Sequence, residues 1–370
     1  MIYLDYQATT PVAPEAAAAM RPWLEEKFAN PHSPSKWGRE AAAAIEVARD
    51  QVERSIGLFG GRFAFTSGAT EALNWALKGT FERLERRKLV TIATEHAAVL
   101  DTAEWLEGQG VQVVRLKVGS DGLVDLKAAD AAIDSETAIV AAMLVNNEIG
   151  TIQPIAELSR LAHSKGALML CDAVQGFGRI VIPDGPDLVA VSAHKIHGPK
   201  GIGGLWIRAG AEPAPLLHGG GQELGLRSGT MATALAAGFG EAAKLAAERR
   251  TADLVHVDKL FQLAIATLGQ GWVINGSVTS RYQGNLNVRR DGLDAARLIS
   301  DLRNIAFSLG SACASGSGRP SHVLRAIGLS DRQARSSIRL GFGRYTGEEE
   351  LTSSCRRISE EAKAQLEFPA

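Results

Sequence analysis

Short apolar runs alternate with segments of helical periodicity through the first half of this chain, and this alternation is the feature that most restricts its fold. Strands of this length, separated by helices, predict parallel βαβ units whose sheet is covered on both faces. The sequence therefore predicts a large α/β domain, which we place at residues 16–250. The apolar runs occupy residues 63–65, 89–93, 111–116, 138–145, 167–171, 188–192 and 204–207, and the helical segments between them include 70–87, a helix from about 97, and 155–165.

The order of elements changes after a long Ala-rich helical segment at 231–250. Strand-like residues 272–274 and 285–288 come next, followed by a helical pattern at 293–303. A further strand and a charged terminal helix complete the chain. This order is typical of a smaller α+β domain, for which we predict residues 251–370 together with 1–15.

Charge and hydropathy exclude several classes of protein. The 40 Lys and Arg residues are balanced by 41 Asp and Glu residues, which gives a formal net charge of −1 and argues against nucleic acid or an anionic membrane as a partner. The apolar run at 138–145 is far shorter than the ~18 residues of a membrane span, and the first residues lack a signal-like core. We expect a cytoplasmic protein.

The three cysteines are Cys171, Cys313 and Cys355. Their odd number and wide spacing suit neither a disulfide framework nor a metal site, so we predict no metal. Cys313 lies in a loop of small residues, where a thiol could reach a substrate, whereas Cys171 follows a strongly apolar run. Cys355 falls in the terminal helix. The residues alone leave Cys313 open as a nucleophile or a bystander.

Polar residues follow several predicted strands at the edge where α/β proteins bind ligands. Asp172 ends one apolar run, and His96 and Asn147 follow two others. A lysine at such an edge can act as an amine nucleophile, for which Lys195 and Lys200 are equally available. The turn 66–71 leads into a helix and could hold a phosphate, although its Ser and Thr residues could also cap the helix.

Taken together, these segments resemble the cysteine desulfurases of the NifS/IscS type, within the class V aminotransferase superfamily of fold-type I pyridoxal phosphate enzymes. The resemblance extends over nearly the whole chain. It is carried by the segments 3–11, 66–71, 94–96, 145–150, 172–175, 192–201, 219–230 and 308–318, and by Arg339.

The resemblance implies a role for each matching residue. Lys195, rather than Lys200, would hold pyridoxal 5′-phosphate covalently, and His96 would stack on the cofactor ring. Asp172 would pair with the ring nitrogen, and Gln175 would hydrogen-bond the phenolic oxygen. The other implied contacts are Ala69, Thr70, Ser192 and His194 with the phosphate, Asn147 with cofactor or substrate, Arg339 with the substrate carboxylate, and Thr230 with the phosphate of the neighbouring subunit.

By the same resemblance the chain would be a homodimer that converts L-cysteine to L-alanine and keeps the sulfur as a persulfide on Cys313. The sulfur would pass to an acceptor protein of iron–sulfur cluster assembly or tRNA thiolation. The sequence departs from the family pattern at Leu224, where a basic residue is expected, and it ends at Ala370, before the tail that contacts the scaffold in longer members. We therefore expect delivery to a scaffold to differ here.

Two other functions are compatible with parts of this pattern. A selenocysteine lyase or a cysteine β-lyase on the same scaffold would also use Lys195 but would depend less on Cys313. A non-catalytic binding protein that kept the fold would have no use for Lys195, Asp172, His96, Cys313 and Arg339 together. The complete set favours the desulfurase.

Overall fold

The structure, a computed structural model, describes residues 1–309 and 320–367. Its largest sheet has seven strands: β2 (Gly61–Thr66), β3 (Lys88–Ile92), β4 (Gln112–Leu116), β5 (Thr137–Met143), β6 (Leu168–Asp172), β7 (Leu188–Ser192) and β8 (Gly203–Arg208), with β1 (Ile2–Tyr3) outside this sheet. Their order is β2-β8-β7-β6-β5-β3-β4. Strands β3 to β7 run parallel, and β8 is antiparallel to both β7 and β2.

Helices cover both faces of this sheet, which confirms the predicted α/β class. Every residue of β3, β5 and β7 is buried. Alternate residues of each strand join one of two apolar clusters: Val90 and Val140 pack with the helices on one face, whereas Leu89 and Ile139 pack with the helices on the other. The helices of this part are α1 (Pro14–Glu25), α2 (Lys36–Ile56), α3 (Ala69–Arg83), α4 (Ala97–Glu107), α5 (Leu126–Ala132), α6 (Ile155–Ser164) and α7 (Thr233–Leu268).

The direction of winding reverses between β3 and β5. After β3 the chain continues outward to β4, and after β5 it continues the other way to β6 and β7. A crevice forms at the carboxyl ends of strands where the winding reverses, and this is where open α/β sheets bind ligands. The fold therefore places a site beyond the ends of β3, β5, β6 and β7.

A smaller sheet is built from the later part of the chain in the order β12-β13-β10-β9, and β1 pairs in parallel with β11. We propose the division into 16–250 and 1–15 with 251–370, supported by this pairing; residue 250 itself lies inside the continuous helix α7. These elements are β9 (Val273–Ile274), β10 (Asn285–Arg289), α8 (Ala295–Asp301), β11 (Ile305–Ala306), β12 (Ser308–Leu309), α9 (His322–Ala326), α10 (Asp331–Arg335), β13 (Ser337–Gly341) and α11 (Glu348–Glu367).

Within residues 1–309 and 320–367, none of the helices combines the length and the apolar character that crossing a bilayer requires.

The aromatic cluster around Phe239 provides a test of the packing between sheet and helix. The Phe239 ring on α7 is fully buried and lies 6.0 Å from the ring of Phe63, 6.3 Å from that of Phe65 and 6.2 Å from that of Phe177. Because Phe→Ala leaves a cavity as well as losing transfer free energy, we expect Phe239→Ala to lower the free energy of unfolding by about 3–5 kcal/mol. Phe28→Ala, at a ring that is 86% exposed, is the control and should leave the denaturant midpoint unchanged.

Candidate active site

Strands β3, β6 and β7 bring polar residues to one edge of the sheet. Asp172 is the last residue of β6, and it pairs in register with Met143 of β5 and Ala190 of β7. Lys195 lies in a short 3-10 turn immediately after β7, and His96 follows β3 as the N-cap of α4. Asp172, Lys195 and His96 therefore meet at the crevice that the topology creates.

The Asp172 carboxylate is buried where β6 ends. Its Oδ1 accepts a hydrogen bond of 3.0 Å from the backbone N–H of Val174. Burial raises the pKa of Asp172, and the positive charge of Lys195, together with that of His96 when its ring is protonated, acts in the opposite direction. A further cation beside this carboxylate would stabilise its ionised form.

The His96 imidazole is fixed by the helix that it caps. Its Nδ1 accepts a hydrogen bond of 3.1 Å from the N–H of Ala98, so the ring proton of the neutral form lies on Nε2. Burial lowers the pKa of His96, and the positive charge of Lys195 adds to this effect while Asp172 opposes it. At neutral pH the ring is therefore an uncharged, oriented plane, as a stacking role would need.

Lys195 and Lys200 lie in different surroundings. The Lys195 ammonium donates hydrogen bonds to the main-chain oxygens of Gln7 and Ala8, at 2.5 and 2.8 Å. Lys200 is exposed in the turn after the short helix. The position of Lys195, close enough to Asp172 and His96 to affect the pKa of each, supports it over Lys200 as the amine of the site.

Within the described part of the chain, the turn before α3 provides no side-chain cap for this helix, whose N-cap is Gly68. The Ser67 N–H donates to Glu71 at 2.8 Å, and Glu71 in turn accepts from Arg227 at 2.8 Å. The first N–H groups of the helix, at Ala69 and Thr70, are thus left to bind an anion.

Two predicted phosphate ligands, Ser192 and His194, lie on the segment that leads to Lys195. Ser192 is buried at the end of β7. His194 Nδ1 is 3.1 Å from Thr9 Oγ1, and burial with the positive charges of Lys195 and Lys200 lowers the pKa of His194 to about 4. The positive surroundings that lower this pKa also favour a bound anion.

Gln175 and Arg339 are both held by hydrogen bonds within the chain. Gln175 Nε2 donates to the main-chain oxygen of Gln7 at 3.0 Å. Arg339, buried on β13, forms an ion pair of 2.8 Å with Asp5 and donates to the main-chain oxygen of Asn147 at 2.9 Å. Arg339 Nε is buried with no partner among residues 1–309 and 320–367. The smaller sheet thereby contributes a guanidinium to the crevice.

The three cysteines and Thr230 complete the predicted set. Cys313 lies outside the described residues. Cys171 and Cys355 are buried, and burial raises the pKa of Cys355 to about 12, so neither is a ready nucleophile. Thr230 is exposed on the loop before α7.

Within the described chain no group of His, Cys, Asp and Glu side chains could hold a metal ion.

Segments 3–11 and 94–96 carry part of the resemblance, but sequence reasoning assigned no role in the site to the N-terminal segment or to Glu95. The carbonyls of Gln7 and Ala8 cover Lys195, and the Gln7 Oε1 atom is buried with no partner in the described residues. Glu95 is fully buried, and its Oε1 accepts a hydrogen bond of 2.8 Å from the N–H of Met143. No periodicity could identify these residues, although Glu95 could have been found from its position beside His96.

Comparison with known proteins identifies the family of this chain. The aminotransferase class V family matches residues 2–353, so the chain belongs to that family. The protein named cysteine desulfurase IscS from Rickettsia akari is 42% identical over 361 residues, covering 95% of this chain and 88% of that protein. The protein of the same name from Rickettsia bellii is 42% identical over 368 residues, covering 96% and 90%.

Solved structures agree with this assignment. A structure described as a NifS-like protein has a TM-score of 0.91 at 34% identity and covers 98% of this chain and 99% of its own. A structure of SspA in complex with cysteine has a TM-score of 0.82 at 35% identity, covering 94% and 100%. The chain thus has the fold of the pyridoxal phosphate enzymes of fold-type I.

Members of this family use pyridoxal 5′-phosphate, and the described residues fit that group. A buried carboxylate at Asp172 suits a protonated pyridine nitrogen, and the uncapped start of α3 suits a phosphate. The Lys195 amine is the group that an aldehyde requires. Close packing shapes the phosphate end, since a Cβ on Gly203 would approach the backbone of Gly68 to 2.9 Å.

The buried Glu95 carboxyl predicts a pH dependence of stability. Burial, with the negative charge of Asp172, raises the pKa of Glu95 well above its ordinary value, so the folded chain keeps a proton that the unfolded chain loses near pH ~4.3. This group's contribution to stability is present below that pH and is lost as the pH rises through the folded pKa.

Because glutamine stays neutral, we expect the Glu95→Gln protein to have a higher Tm than the original chain at about pH 8, and the difference to shrink near pH ~5. Calorimetry at both pH values measures this. Glu248→Gln, at an exposed carboxyl, is the control and should show no difference. An equal Tm for Glu95→Gln and the original chain at both pH values would show that Glu95 titrates normally.

Proposed function

We propose that this chain is a pyridoxal phosphate-dependent cysteine desulfurase that converts L-cysteine to L-alanine and leaves the sulfur as a persulfide on Cys313. One observation carries the proposal: Asp172, His96 and Lys195 meet at one sheet edge, in a chain whose relatives bear that name. The SspA structure with cysteine supports cysteine as the substrate.

The bound cofactor would supply an electron-withdrawing ring that stabilises negative charge on the substrate α-carbon. Asp172 would keep the ring nitrogen protonated through its buried charge, and His96 would orient the ring by stacking. Lys195 would hold the cofactor before substrate arrives, and its Nζ would then take and return the α-proton. The carbonyls of Gln7 and Ala8 direct that amine while it is protonated.

Arg339 would bind the substrate carboxylate. Its guanidinium can form a bidentate pair with a carboxylate, and it already pairs with the carboxylate of Asp5. Asn147 lies against it, since the Asn147 main-chain oxygen accepts from Arg339. The substrate would therefore replace part of an existing polar network rather than enter an apolar pocket.

The Cys313 thiolate would attack the sulfur of the substrate. An S–S bond forms as the substrate C–S bond breaks, the electron pair returns to the substrate carbon, and a proton there completes alanine. The sulfur that leaves the substrate is thus carried by the enzyme, so one cysteine yields one alanine and one persulfide. A soft thiolate is the appropriate nucleophile for this step.

A selenocysteine lyase or β-lyase is not favoured, because the relatives at 42% identity are named cysteine desulfurases.

A homodimer is supported by the exposure of Thr230, which would reach the phosphate of the second subunit. The acceptor would be a scaffold or thiolation protein. Leu224, whose side chain is 68% exposed, lies on the same loop as Thr230, at the position where the resemblance predicts a basic residue. This surface of the chain would therefore lack one positive contact for the acceptor. The cytoplasmic location stays a prediction.

The choice between the two lysines can be tested directly. Borohydride reduction should fix the cofactor to the peptide that contains Lys195, and Lys195→Ala should abolish this attachment while Lys200→Ala retains it. The reason is that only the amine near Asp172 can reach the cofactor aldehyde. Peptide mass spectrometry measures the attachment, and cofactor found on Lys200 would contradict the assignment.

The nucleophile is tested by Cys313→Ser. We expect this protein to bind cofactor and cysteine but to release almost no alanine and to gain no sulfur by intact mass, because a hydroxyl cannot form the S–S bond. Cys355→Ser and Cys171→Ser, at buried thiols, should keep the activity apart from losses of stability. Normal alanine release by the Cys313→Ser protein would overturn the desulfurase mechanism in favour of a lyase.

A further inference from the structure

The Arg179 guanidinium donates hydrogen bonds to three separate segments of the candidate active site. Its Nη1 donates to Gln175 Oε1 at 2.7 Å and to the Gln175 main-chain oxygen at 3.3 Å. Its Nη2 donates to the main-chain oxygen of Lys195 at 2.8 Å and to that of Tyr6 at 3.4 Å. A single planar group thus joins the turn after β6, the turn after β7 and the N-terminal segment.

The first of these bonds fixes the orientation of the Gln175 carboxamide. An amide can present either its oxygen or its NH2 group, but a guanidinium only donates, so the Gln175 oxygen must face Arg179. The Gln175 NH2 group then faces away and donates to the main-chain oxygen of Gln7 at 3.0 Å. Arg179 therefore selects which end of Gln175 is offered to the crevice.

The other bonds fix the segment that carries the amine. Lys195 is held at both ends, because its main-chain oxygen accepts from Arg179 while its ammonium bonds the oxygens of Gln7 and Ala8. Tyr6, which also accepts from Arg179, immediately precedes Gln7 in the chain. Losing the guanidinium would loosen the Lys195 backbone and the carbonyls that direct its amine together.

The charge of Arg179 also acts on the site. Among residues 1–309 and 320–367 no carboxylate forms an ion pair with Arg179, and each hydrogen bond described for it goes to an uncharged oxygen. Its positive charge contributes to the low pKa of His194, next to Lys195. A cation in this position disfavours a second positive charge nearby, including one on a Lys195-linked nitrogen.

We propose that Arg179 is a positioning residue of this enzyme: it orients the Gln175 carboxamide and the Lys195 backbone and adds positive charge next to them. The inference rests on the proposed function and adds to it a residue that acts through Gln175 and Lys195. Its two consequences, geometry and charge, can be separated by substitution.

The experiment compares Arg179→Met, Arg179→Lys and a matched control, Arg86→Met, in the cofactor-loaded protein. Arg86 also donates to three main-chain oxygens, those of Thr137, Lys165 and Gly166, but at the opposite end of the strands. Three quantities are measured for each protein: the Tm, the pH midpoint of the cofactor absorption band, and kcat and KM for L-cysteine.

Arg179→Met should raise the pH midpoint by about one unit and lower kcat on the order of tenfold, because both the charge and the bridging donors are lost. Arg179→Lys keeps the charge but cannot bridge Gln175 and Lys195, so its midpoint should stay near that of the original chain while kcat falls. Arg86→Met should lower the Tm without moving the midpoint.

An Arg179→Met protein that loses only Tm, as the control does, would overturn the proposal, as would an unchanged midpoint together with an unchanged kcat. If Arg179→Met fails to fold, Arg179→Lys decides, since a kcat equal to that of the original chain would exclude the geometric role. Absence of alanine release from the original chain would refute the proposed function alone, because the absorption titration needs only bound cofactor.

Discussion

The register of three parallel strands is the constraint on which the site depends. Pairing of Met143 with Asp172 and of Asp172 with Ala190 brings the carboxyl ends of β5, β6 and β7 to the same edge, with β7 extending two residues past Ala190. A parallel ladder buried on both faces tolerates no slip, since a shift by one residue would exchange the residues that pack on its two faces. The 3-10 turn after β7 and the start of α4 after β3 then place Lys195 and His96 beside the buried Asp172.

Burial sets the charge state of the site. In the folded chain Asp172 and Glu95 share an interior region where desolvation raises the pKa of each, and the same desolvation lowers the pKa of His96. Repulsion between two nearby carboxylates in a buried region separates their pKa values. Asp172 is then suited to pair with a cationic ring, whereas Glu95 keeps its proton. A carboxyl that stays neutral avoids competing with Asp172 for that cation.

The N-terminal segment and the smaller sheet close the crevice from outside the large sheet. Asp5 pairs with Arg339, and the carbonyls of Gln7 and Ala8 cover Lys195. These contacts join residues more than a hundred positions apart, and β1 is held by its pairing with β11. The amine and the guanidinium that the proposed reaction needs are therefore positioned by parts of the chain that share no local pattern with them.

The sequence alone determined the alternation of strands and helices, because periodicity and apolar runs are local properties, and it placed Asp172 and His96 beside strand ends. Its motifs also indicated Lys195 over Lys200 through family resemblance. Only the tertiary structure decided strand order, the extension of α7 to Leu268, and the roles of Gln7, Glu95 and Arg179. Strand order depends on which edges pair, and a hydrogen bond from Arg179 to the Lys195 carbonyl depends on two turns meeting in space, so neither leaves a periodic signal in the chain.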